Sequence, residues 1–129
     1  MASLFTEIIQ GECPAYKLFE GDDAIAILDA FPIQYGHTLV IPKREVADWF
    51  ELDARAYAAL WDLAKRTAVA MKKSIACKKI GVAVMGFEVP HAHIHLVPLD
   101  AESDLNFSRK KHFTTAEFLA VQAKIKAGF

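Results

Sequence analysis

From Asp53 to Ile75 apolar side chains recur every three or four residues, at Tyr57, Leu60, Trp61, Ala64, Ala68, Met71 and Ile75, which is the period of a helix with one buried face. Every β-rich run of the chain lies before or after that segment. Asp53 is suited to cap its start, and Lys72 and Lys73 place positive charge in its last turns, where the dipole favours cations. Upstream, residues 16–20 and 24–29 read as strands around a tight turn at Gly21-Asp22, and residues 37–41 read as a third strand ending at Pro42. Downstream, residues 80–85 and 92–97 are two further β-rich runs, and residues 114–127 turn helical again with Phe118, Leu119, Val121 and Ile125 apolar. The opening stretch, residues 3–10, sets Leu4, Phe5, Ile8 and Ile9 on one helical face, with Gly11 as a stop. The order ββ, β, α, ββ predicts an α+β fold: a mostly antiparallel sheet with helices on one side.

The 129 residues suit a single domain, 1–129, and no repeat, linker or low-complexity tract divides them. Lys and Arg number 15 against 16 Asp and Glu, for a formal charge of −1, so no basic field draws a nucleic acid or an anionic membrane onto the protein. Neither is expected as a partner. Cys13 and Cys77 form neither a C-x-x-C pair nor a disulfide framework, the first ten residues hold Glu7 and no basic leader, and no apolar run approaches a membrane span. The expectation is a cytoplasmic protein with free thiols.

Chemistry concentrates at Val89-Pro90-His91-Ala92-His93-Ile94-His95-Leu96-Val97-Pro98. On a strand the side-chain period is two, so His91, His93 and His95 are expected on one face and Ala92, Ile94 and Leu96 on the other. With five histidines in the chain, three at these fixed spacings have a chance expectation of about 0.007, low for a motif match. Three imidazoles on one surface can serve as nucleophile, as general acid or base, or as metal ligands, and spacing alone does not choose among these.

The chain resembles the histidine-triad (HIT) family of nucleotidyl hydrolases and transferases from Ser3 to about Leu99. Three stretches carry the likeness: His-x-His-x-His before apolar residues; Leu28-Asp29-Ala30-Phe31-Pro32 followed by Gly36-His37-Thr38-Leu39-Val40-Ile41-Pro42-Lys43; and the opener Glu7-Ile8-Ile9-Gln10-Gly11-Glu12-Cys13-Pro14-Ala15. The segment from about residue 100 is family-variable.

The resemblance implies a five-stranded antiparallel sheet with a long helix and shorter flanking helices, and a homodimer joining two such sheets. It implies that His93 attacks the α-phosphorus of a purine nucleotide ester or amide, forming a covalent nucleotidyl-histidine that water later cleaves. By the same likeness His95 bonds phosphate or leaving-group atoms, His91 helps hold the middle ring, and His37 joins the relay through the triad's first ring. Asp29 matches the residue that accepts from ribose hydroxyls. Leu4, Phe5, Ile8 and Ile27 match the positions that sandwich the base, though apolar residues at such spacings equally suit a core wall. Gly86 matches a backbone position that closely approaches phosphate, where a missing Cβ helps.

Departures from the family pattern shape further expectations. Zinc-holding relatives carry Cys-x-x-Cys at the opening and a histidine after Pro-Lys, whereas Ser3, Thr6 and Glu45 stand here, so neither metal nor cofactor is expected. Phe87 and Glu88 stand where a polar run is usual, and a carboxylate at Glu88 repels phosphate unless it points away or meets a cation. Arg109-Lys110-Lys111 reads as a solvated charge run without an assigned role. Dinucleoside polyphosphate cleavage, a nucleotide-binding module with weak chemistry and a three-imidazole metal hydrolase stand as alternatives to phosphoramidate cleavage.

Overall fold

Gly21 and the residues beside it turn the chain back on itself in the computed structural model, which describes residues 2–129. The Gly21 amide donates to Ala24 O at 2.9 Å, and strand β1 (Lys17–Glu20) lies antiparallel to β2 (Ala24–Leu28) with a register irregularity between Lys17 and Phe19. Strand β3 (Thr38–Pro42) pairs with β2, β5 (Ile94–Leu99) pairs with β3, and β4 (Lys79–Ala83) pairs with β5, all antiparallel in the order β1-β2-β3-β5-β4. The fold is α+β with an open five-stranded antiparallel sheet.

Helix α2 (Ala54–Ser74) starts where the sequence pattern puts it, because the Asp53 carboxylate accepts from the Ala56 amide. Its buried stripe is Ala56, Leu60, Leu63, Ala64, Thr67, Ala70 and Met71, whereas Tyr57 stays exposed beside Trp49. Helix α3 (Thr115–Ala127) opens with a reciprocal cap between Thr114 and Glu117 and buries Val121 and Ile125. The Tyr16 and Phe118 rings stack at 4.8 Å, and Gln122 Nε2 donates to Lys17 O, fastening α3 to β1.

The two faces of the sheet follow the period of two. Ala24, Ala26, Leu28, Val40, Ile94 and Leu96 pack with α2 and α3 in one apolar cluster. Ile25, Ile27, Leu39 and Ile41 face the other way and meet Phe5 and Ile8 of helix α1 (Leu4–Ile9). Helices therefore cover both faces rather than one, because the second faces of β2 and β3 are apolar and need α1 as a cover.

The triad segment departs from the expected strand, which begins at Ile94 instead of Ala92, so His91 and His93 precede it. The last registered pair with β3 is Val40 opposite Ile94; continuing the register by two residues would face Ala92 with Pro42, which has no N–H to donate. The Ala92 amide turns to Val46 O at 2.7 Å instead.

Candidate active site

Gly36, at φ +85°, shapes the turn that delivers His37, and a Cβ there would overlap Ile75 Cδ1. His37 is 1% exposed. The Ile33 amide donates to His37 Nδ1 at 3.1 Å, so the proton of the neutral ring sits on Nε2, which donates to His95 Nδ1 at 2.9 Å. His95 is thereby left with its own proton on Nε2. The chain of bonds fixes two tautomers from one backbone amide.

His93 is set independently. Its Nδ1 donates to His91 O at 2.7 Å, which leaves the Nε2 lone pair free, and its ring lies 4.8 Å from that of His95 and 4.9 Å from that of Phe5. His91 works through its carbonyl toward His93, while its ring points elsewhere. The His91 Nε2–H donates to Pro42 O at 2.8 Å, and Nδ1 accepts from Ser3 Oγ at 2.7 Å. The relay expected from His37 through the triad's first ring therefore runs to the last ring instead, since β3 and β5 are neighbours and Leu39 lies opposite His95.

All four rings are held neutral at pH 7. Burial pushes His37 and His95 down to about 3, helped at His37 by the Lys110 charge and at His95 by its histidine neighbours. Burial also lowers His91 and His93, against the opposing pull of their carbonyl partners.

The rings His93 and His95 open on a cavity of about 590 Å³ whose wall includes Leu4, Phe5, Ile8, Ile27, Asp29 and Gly86. Phe5, Ile8 and Ile27 are at once core and cavity wall, while Leu4 remains half exposed. Asp29 bonds the turn as well: Oδ1 accepts from the Phe31 amide at 2.8 Å, and Oδ2 lies 3.4 Å from His37 Nε2. Gly86 has φ +78°, but a Cβ there would meet only Ala47 O at 3.7 Å and Val89 O at 3.9 Å. Glycine is needed there for the backbone angle, and no neighbouring atom crowds it.

A family model described as "HIT domain" matches residues 10–102. The chain belongs to the HIT family. It is 39% identical over 100 residues to a HIT-like protein of Mycoplasma genitalium, covering 74% of this chain and 71% of that one. It is 35% identical over 98 residues to the adenosine 5'-monophosphoramidase HNT1 of Saccharomyces cerevisiae, covering 75% of this chain and 62% of that one. The crystal structure of a HIT-like protein involved in cell-cycle regulation from Bartonella henselae superposes with a TM-score of 0.86 at 27% identity, over 98% of this chain and 96% of that one.

Within this HIT protein, the place where the resemblance sets zinc ligands in other members is filled by hydrogen bonds. Glu45 Oε1 accepts from Thr6 Oγ1 at 2.6 Å and from the Ser3 amide at 2.7 Å, which pushes its carboxyl down to about 2, and Ser3 continues the network to His91. Two hydroxyls and a carboxylate beside one imidazole do not make the thiolate and imidazole set that zinc prefers. Elsewhere among the described residues, Asp29, His37 and His95 each bring a donor atom within 4.8 Å of the others, but a cation there must displace the proton that His37 and His95 share.

The segment from about residue 100 supplies two cavity residues that sequence reasoning gave no role. The Phe107 ring stands edge-on to His95 at 4.8 Å and to His37 at 6.0 Å, and Lys110 lines the same cavity with Nζ 3.9 Å from Glu88 Oε1. Glu88 has thus met a cation, one of the two conditions its sequence position sets. A charge run was the one available signal for Lys110, and Phe107, in an irregular stretch, gave none.

Proposed function

We propose that this HIT protein cleaves purine nucleoside phosphoramidates, or related nucleotide esters, at the α-phosphorus through a covalent nucleotidyl-His93. The observation that carries the reading is His93 itself: a neutral ring whose Nε2 lone pair is free, at the wall of a cavity the size of a small-molecule site. The Nε2 pair forms a bond to phosphorus as the bond from phosphorus to the leaving amine breaks. That electron pair goes to the amine, which takes a proton from water. Positive charge then grows on the ring, and the Nδ1–H bond to His91 O, with Asp29 and Glu88 nearby, favours it. The His95 Nε2–H is free to donate to a phosphoryl oxygen. Water next attacks phosphorus, the bond to Nε2 breaks with its pair returning to the ring, and a proton is released.

Four of the exposed apolar side chains, Leu4, Phe31, Met85 and Phe87, line this cavity, which suits a flat aromatic base, and Asp29 suits the ribose hydroxyls. The decisive experiment is a rapid acid-free quench of the protein with adenosine 5'-phosphoramidate, followed by peptide mass mapping. A nucleotidyl adduct on His93 is expected. Steady turnover with the adduct on another residue, or no turnover and no adduct, overturns the reading.

We also propose a homodimer, one domain per chain, in the cytoplasm, where Cys13 and Cys77 stay free thiols. Strand β4 ends the sheet, and Val82 is half exposed on that edge. Pairing of β4 with a second copy joins the two sheets. Light scattering is expected to give twice the 14.3 kDa chain mass, falling to the monomer in Val82→Lys; a monomeric parent protein at micromolar concentration refutes the dimer.

A further inference from the structure

Residues 105–113 form neither helix nor strand, yet they are sewn to the turn that precedes His37. The Lys111 amide donates to Pro32 O at 2.7 Å, Lys111 Nζ donates to Gln34 Oε1 at 2.7 Å, and Gln34 Nε2 donates to Asp104 O at 3.0 Å. On the other side of Lys110, the Arg109 amide donates to Asn106 O at 3.0 Å, and Phe107 is clamped against His37 and His95. Lys110 therefore stands between two fastened points, with its side chain 32% exposed and turned into the cavity that holds His93.

The charges around that cavity are unbalanced toward repelling an anion. Its lining carries two carboxylates, Asp29 and Glu88, and two histidines that are neutral at pH 7, so Lys110 is the one cation among the described lining residues. The Phe87 side chain, on a residue 92% exposed, has no polar atom to offer a phosphate. The partner of Lys110 is loosely held: the Glu88 side chain is 82% exposed, and the separation of 3.9 Å leaves only a weak, screened attraction. A phosphate, with more charge and three acceptor oxygens, competes well for that ammonium.

We propose that Lys110 is the phosphate-binding cation of this active site and that it exchanges Glu88 for a non-bridging oxygen of the bound nucleotide. This rests on the nucleotidyl reading above. Lys110 thereby supplies from the C-terminal segment the polar contact that Phe87 does not make.

Calorimetric titration with AMP and with adenosine tests it, because only AMP carries the phosphate. Lys110→Met is expected to weaken AMP about tenfold while adenosine changes less than twofold; Lys110→Arg, which keeps the charge, holds AMP within about threefold. Glu88→Gln is expected to tighten AMP about threefold, part of it by relieved repulsion, so the second deciding variant where Lys110→Met fails to fold is Lys110→Gln, expected to weaken AMP as Lys110→Met does with adenosine changed less than twofold. Wild-type binding of both probes with AMP unaffected by either neutral Lys110 variant, or weakened in step with adenosine, overturns the role of Lys110 and leaves the nucleotide reading standing. A wild-type protein that binds neither probe overturns both.

Discussion

Changing His93 to alanine is expected to lower kcat/KM for an adenosine phosphoramidate by at least about a thousandfold while shifting AMP affinity no more than about threefold. The asymmetry follows from where the ring sits. In the proposed reaction His93 supplies the attacking lone pair, yet it is one side chain in a wall that also includes Leu4, Phe5, Ile8, Ile27 and Asp29. Its loss removes one hydrogen bond, to His91 O, at a site only 6% exposed, which destabilises the fold by about 1–2 kcal/mol and leaves it folded. Equal losses in kcat/KM and in AMP affinity would mean that His93 acts as a structural wall. The pH profile gives a second readout. Burial lowers His93, so the acid limb of kcat/KM is expected below pH 6.5, the ordinary histidine value. An acid limb above that value contradicts the neutral nucleophile.

Much of this geometry was legible because local rules and the fold agree. Asp53 caps α2 where the pattern set it, and α3 begins within one residue of the expected start, whereas β2 and β3 are apolar on both faces, so the cover that α1 gives their second face was not legible. The triad strand was misplaced by two residues because the obstacle is Pro42 on a neighbouring strand, a tertiary fact that a reading along residues 89–98 does not contain. The same holds for the histidine relay. Which ring His37 reaches depends on β3 lying next to β5, and only the paired sheet chooses His95 over His91. Phe5, Ile8 and Ile27 could not be sorted into core or cavity wall from their spacing, and the structure explains why: they serve as both. Phe107 and Lys110 were hidden for a different reason. Their placement comes from Lys111 and Gln34 holding an irregular segment in place, and such a segment has no period to read.

Acid is expected to unfold this protein early. His37 and His95 are 1% and 8% exposed, share one proton between Nε2 and Nδ1, and are pushed down to about 3 by burial. In the unfolded chain both titrate near 6.5, so between pH 6.5 and about 3 the unfolded state binds protons that the folded state refuses. Stability is therefore complete above pH 6.5 and drains as pH falls toward 3, the direction for a group whose folded pKa is depressed. At pH 4.5 the two rings together remove about 5 kcal/mol, comparable with the whole stability of an ordinary domain. Glu45, held at about 2 by Thr6 and Ser3, adds its own loss in the window from about 4.5 down to 2, and that loss falls first on the α1 anchor. Urea titrations at pH 7.5, 6 and 4.5 check the first window: the midpoint is expected to drop steeply between the last two. In His37→Gln/His95→Gln the protein is less stable at pH 7.5, because the buried bond is lost, but its midpoint is expected to change much less on acidification. A parent protein whose midpoint stays flat from pH 7.5 to 4.5 shows that these two rings accept protons inside the fold near their ordinary value, and that burial does not hold them neutral below pH 6.5.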